Sequence, residues 1–83
     1  MLKVENDILK IDLPEGKTQV ELVEMMDNEF KGLEESFYGK DIKINGRITT
    51  AMALNLGHKL SHICKSVSIF DPKLNEYILA VHH

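Results

Sequence analysis

Residues 66–82, SVSIFDPKLNEYILAVH, constrain the fold more than any other stretch of this chain. Val67 and Ile69 alternate with Ser66 and Ser68, Phe70 adds β-propensity, and a second apolar run follows Asp-Pro-Lys-Leu-Asn at 77–81. Pro72 has no N–H to give a ladder, so pairing stops there, and Asp71 caps the strand before it. The segment therefore predicts a β-hairpin holding a carboxylate at a strand tip.

The rest of the chain supplies a layer around that hairpin. Residues 2–5 and 8–13 flank Asn6 and Asp7, which tolerate the positive φ of tight turns, and predict an opening hairpin. Thr18 with Glu21 three residues on has the form of a capping box, and predicts a helix running to about Tyr38. Val20, Val23, Met26, Phe30, Leu33 and Phe37 fall on one face of a 3.6-residue repeat, so the stripe reads as the side that lies on a sheet. Met25 and Met26 belong to the same helix and read as packing residues, not as a peptide groove. Ile42 and Ile44 alternate with Lys43 in a short strand that Gly46 ends. A second helix then runs from Thr49 or Thr50 to His62, burying Met52, Leu56, Leu60 and Ile63. The order is β-β-α-β-α-β-β, and a strand–helix–strand unit in one sheet makes its strands parallel. The fold class that follows is an α/β (α+β) two-layer domain with a mixed sheet.

Eighty-three residues make one domain, 1–83, with a thin core. Self-association is the simplest supply of missing core, so an oligomer is expected. A net charge of −3 argues against a general nucleic-acid coat, which needs a surplus of Lys and Arg, but leaves room for a small anion held by a few local groups. The single Cys64 excludes an internal disulfide and a cysteine-based zinc site, and reads as a small buried apolar residue. With no basic segment leading into an apolar run and no bilayer-length apolar stretch, a cytoplasmic protein is expected.

Three features carry chemistry. The run Asn45, Gly46, Arg47, Ile48, Thr49, Thr50 is a strand-to-helix turn: its Gly lets backbone approach a ligand, its Arg pairs with phosphate, and the helix start offers free amides. The same run also reads as an ordinary loop with a solvated charge. His58 and His62 are four apart, on one helical face away from the Leu56 and Leu60 stripe, and two imidazoles at that spacing can share a metal. No Glu lies between them as in the helical zinc-protease motif, so a surface pair is the competing reading. His82 is a third imidazole, on the last strand.

Taken together, the segments INGR, GHKLSH, SIFDPKL and AVH between Ile44 and His82 resemble the small accessory proteins of type III CRISPR systems known as ring nucleases. The resemblance covers about the last half of the chain. It implies a ferredoxin-like or Rossmann-like, CARF-related domain that cleaves cyclic oligoadenylate second messengers, cyclic tetra-adenylate above all, and so damps antiviral signalling. It also implies a manganese-dependent phosphodiesterase or 3′-end RNA deadenylating activity, with a cyclic oligoadenylate or an RNA 3′ end as partner. Carried over, the phosphate-holding turn falls on Gly46 and Arg47, with Thr49 and Thr50 beside them at the helix start. The catalytic positions fall on His62, Asp71 and Lys73, and the metal ligands on His62, Asp71 and His82. Ile48 and Thr49 stand where the family has Gly-Pro, Lys73 replaces an Arg, and Asn75 replaces a Gly.

The topology separates these residues. Arg47 and Asp71 follow the carboxyl ends of neighbouring parallel strands, whereas His62 lies near the amino end of the Asp71 strand and His82 is expected opposite Lys65. A six-residue strand at about 3.3 Å per residue puts the two poles roughly 20 Å apart. A site using both is therefore expected between copies stacked head to tail in a homodimer or tetramer. A non-catalytic nucleotide sensor and a purely structural oligomerisation module are the alternatives from other functional classes.

Overall fold

Asn6 and Asp7 both take left-handed backbone, at φ 50° and 64°, in the computed structural model of the protein, which describes residues 1–82. Two successive left-handed residues give the turn whose twist matches paired strands. It joins β1 (Leu2–Glu5) to an antiparallel β2 (Ile8–Ile11), which stops short of the expected Leu13. Helix α1 (Gln19–Lys31) begins with the capping box: Thr18 Oγ1 accepts from the Glu21 N–H at 3.2 Å, and the Thr18 N–H donates to Glu21 Oε1 at 3.1 Å.

α1 does not reach Tyr38. Gly32, a poor helix former, is its C-cap, and a 3-10 turn over Glu34–Ser36 follows. Phe37 still enters the core from that turn, stacking on Phe30 with ring centroids 5.4 Å apart. The buried face of α1 is Leu22, Met26 and Phe30, while Val20 is 68% exposed and Val23 only partly covered. Steps of three and four fit either phase of this helix, and the sheet beneath selects the one carrying the larger Leu22.

β3 (Asp41–Gly46), α2 (Thr50–Ser61), β4 (Ser66–Asp71) and β5 (Glu76–His82) complete the chain. The sequence of elements departs from the expected one only by the added 3-10 turn. The five strands lie in the order β1-β2-β3-β4-β5, with β2, β3 and β4 parallel and the two outer pairs antiparallel. This is an α+β domain with a five-stranded mixed sheet and two helices.

Alternation along the strands sends Leu9, Ile11, Ile42, Ile44 and Val67 into the helix layer, where they meet α1 and the Met52, Leu56, Leu60 stripe of α2. Cys64, 5% exposed, fills a gap beside them as expected, and no polar residue is buried among the described residues. The opposite sheet face carries Lys10, Lys43, Asn45, Ser68, Phe70 and Tyr77, none of them buried. Among the described residues no helix is long and apolar enough to cross a membrane.

Candidate functional site

Because β2, β3 and β4 run parallel, their carboxyl ends, Ile11, Gly46 and Asp71, gather at one pole. Arg47 leaves β3 there, exposed, and among the described residues its side chain makes no ion pair or hydrogen bond. It borders a cleft of about 650 Å³ with Leu13, Glu15, Gly46, Phe70 and Pro72, a volume in the range of small-molecule sites. A second cleft of about 490 Å³ adjoins it across Phe70 and Pro72 and is lined by Asp71 and Lys73. The phosphate-turn and carboxylate residues expected at one pole are thus neighbours. Glu15 is an acid in the same cleft, so Arg47 has a local counter-charge to compete with a ligand.

Gly46 has a reason other than a ligand. Its φ is 114°, and a Cβ there would lie 2.2 Å from Ile11 O and 2.9 Å from Ile11 N. The backbone that approaches Gly46 is that of β2, its registered partner. Thr49 likewise serves the fold as the N-cap of α2, its Oγ1 accepting from the Met52 N–H at 3.2 Å. The amides of Thr50 and Ala51 are left without intrahelical partners, as at any helix start, and face the pole that carries Arg47.

Asp71 forms the turn predicted for it. Its Oδ1 accepts from the backbone N–H of Lys73 at 2.9 Å and of Leu74 at 3.3 Å, which leaves Oδ2 for a ligand. Lys73 projects from the turn, exposed. Asn75 takes φ 52°, so the position where the resembled family has Gly needs left-handed backbone, which Asn supplies.

The histidines occupy the other pole. His62 is the C-cap of α2, exposed, and its Nε2 lies 3.3 Å from His58 Nε2, the rings meeting edge-on at 84° with centroids 4.7 Å apart. His82 pairs with Ser66, one residue along from the expected Lys65, because a register shift at Val67/Ser68 absorbs one residue of β5. His62, Asp71 and His82 do not converge within a chain: among the described residues no three His, Cys, Asp or Glu side chains group as metal ligands.

A cluster on the open sheet face went unread in the sequence. Asn45 Nδ2 donates to Tyr77 Oη at 3.0 Å across β4, Lys43 Nζ lies 5.2 Å from the Tyr77 ring centroid, and Phe70 meets that ring edge-on at 5.3 Å. The period-2 positions of Lys43, Asn45 and Phe70 were the available signal; which residue of β5 lies opposite depends on the hairpin register. On the same face Glu5 sits between Lys10 and Lys3, whose hydrogen bonds and charge lower its pKa to about 2. No protein-family model, curated protein or solved structure matches this chain.

Proposed function

We propose that this domain binds a cyclic oligoadenylate, with cyclic tetra-adenylate as the ring to test first, and cleaves it as a metal-dependent phosphodiesterase. The observation that carries the reading is Arg47: an exposed guanidinium without a partner among the described residues, between an open cleft and the first turn of α2. A guanidinium pairs bidentately with phosphate, and helix-start amides add donors to the same anion. The run β2-α1-β3-α2-β4 has the alternation of a Rossmann-like mononucleotide-binding half, with the ligand pole at the carboxyl ends of the strands. Placement of both helices over one sheet face is shared with ferredoxin-like domains.

Two imidazoles and a carboxylate suit manganese in donor type, but one chain does not bring His62, Asp71 and His82 together. In this reading the set is completed across a junction between copies, with Asp71 from one and His62 or His82 from the next. When bound there, the ion would supply polarisation of a phosphodiester oxygen. In this reading Arg47 and the amides of Thr50 and Ala51 fix the phosphates and orient the ring. Lys73, a flexible point charge, offsets charge developing on the phosphate under attack, and His62, where it does not ligate the ion, would move a proton.

The carboxylate geometry favours one second reading. Asp71 Oδ1 already holds two turn amides, which gives the residue a complete structural role and suits a sensor that binds the ring without cutting it. The test is incubation of labelled cyclic tetra-adenylate with the protein, with manganese or with chelator, and separation of the products. Linear products only with manganese support the phosphodiesterase. A ring that binds but stays intact selects the sensor, and a ring that neither binds nor changes removes both.

A further inference from the structure

We infer that His58 and His62 form a divalent-metal clamp on α2, selective for zinc and its borderline neighbours over manganese, complete within a single chain. The carrying observation is the Nε2–Nε2 separation of 3.3 Å. Two imidazoles on one tetrahedral zinc, with Zn–N near 2.0–2.1 Å, have nitrogens about 3.3–3.4 Å apart. The separation of the pair therefore matches the bite of the ion. The pair spans the end of α2, with His58 inside the helix and His62 as its C-cap in right-handed helical backbone, so the two remain surface neighbours at a spacing of four.

The surroundings are consistent with a cation. Both histidines are exposed and line a groove of about 380 Å³ between the C-terminal halves of the two helices. Glu34, on the 3-10 turn, is the carboxylate in that groove. Lys31 and Lys59 line it too, and Lys59 is neutralised by its ion pair with Asp27. Among the described residues no third His, Cys, Asp or Glu closes the site, so two positions stay open to water or to a ligand from solution. Without metal, the same 3.3 Å fits a hydrogen bond in which one neutral ring donates its N–H to the other. Zinc would take the place of that shared proton, which passes to Nδ1 of the donor ring so that both imidazoles bind through Nε2.

Ligand type sets the selectivity. Imidazole without carboxylate favours zinc, copper and nickel, and manganese is the weakest of the divalent first-row series. The clamp shares His62 with the junction set proposed above but takes its second ligand, His58, from the same helix, and it does not depend on any nucleotide.

The experiment uses the intact chain and zinc alone. Calorimetric titration should give one zinc per chain, not displaced by a tenfold excess of manganese. In two-dimensional NMR the ring signals of His58 and His62 should shift together while that of His82 stays in place. His58→Ala should weaken binding by about tenfold or more. The double variant His58→Ala, Ser61→His keeps the number of histidines but sets two side by side, where they do not face each other, and should not recover it. Circular dichroism checks that each exposed-site variant keeps its helices. Binding equal in parent and either variant, or manganese binding as tightly as zinc, would overturn the clamp.

Discussion

At Gly46, ligand chemistry and fold compete for the same residue, and the distances decide for the fold. A side chain there meets a left-handed φ of 114° and a contact of 2.2 Å with the Ile11 carbonyl. Backbone strain and overpacking each cost of order 1–3 kcal/mol, so Gly46→Ala is expected to lose about 3 kcal/mol and to lower the melting temperature by more than about 10 °C. Arg47→Ala, next to it but exposed, should change stability by no more than about 0.5 kcal/mol while weakening ring binding. Thermal melts beside ligand titrations separate the two, and a glycine variant that melts with the parent would return Gly46 to the ligand. Cys64 makes a second residue-scale prediction. Burial pushes its thiol from 9.0 up to about 11. Above the lower value the unfolded chain releases this proton while the folded chain keeps it, so the contribution is intact below about pH 9 and is lost as pH rises toward 11. By about pH 10.5 the loss is about 2 kcal/mol relative to pH 8. Urea unfolding at both pH values should show that excess loss in the parent and not in Cys64→Ala, where lysine titration is common to both.

Among the elements, α2 is the one on which both poles depend, since Arg47 precedes its start and His62 caps its end. Thr49→Ala removes the hydroxyl that holds the Met52 N–H and should cost about 1 kcal/mol, with Thr49→Ser restoring most of it, measured by denaturant midpoint at unchanged slope. What was legible at this scale was local. Asn6 with Asp7, the Thr18 and Glu21 box, and the Met52, Leu56 and Leu60 part of the α2 stripe each act within a few residues of chain and form as read, whereas Ile63, expected in that stripe, falls beyond the helix end and is only partly buried. What was illegible depends on parts distant in sequence. Whether Val20 or Leu22 faces inward is set by the sheet under α1, and the residue opposite Ser66 by an irregularity in pairing that no residue of β5 announces. The site divides the same way. Topology alone placed Arg47 with Asp71, but Gly46's true neighbour, Ile11, is 35 positions away. The spacing of His58 and His62 brought them to one face; the metal-sized gap between their nitrogens is visible only once the rings are placed.

For the whole molecule, the consequence of parallel β2, β3 and β4 is polarity: Arg47, Asp71 and Lys73 at one end, His62 and His82 at the other. The edge strand β5 leaves Ile78 38% and Leu79 55% exposed, apolar surface next to unpaired backbone that suits contact with another copy. If cleavage needs both ends, head-to-tail association follows from geometry, because a chain cannot fold its own poles together without breaking the sheet. His62→Ala and Asp71→Asn should then each abolish cleavage alone and partly restore it when mixed. In a mixed stack, some junctions set an intact aspartate pole of one variant against an intact histidine pole of the other, while the remaining junctions carry at least one lesion. A site contained in one chain has no such route, since every chain in the mixture lacks one required group. The measurement is the initial rate of ring cleavage across mixing ratios after subunits have exchanged, with a maximum expected at an intermediate ratio. Activity that stays at the single-variant floor, with exchange shown independently by mass-tagged chains, places the chemistry inside one subunit and removes the stacked arrangement.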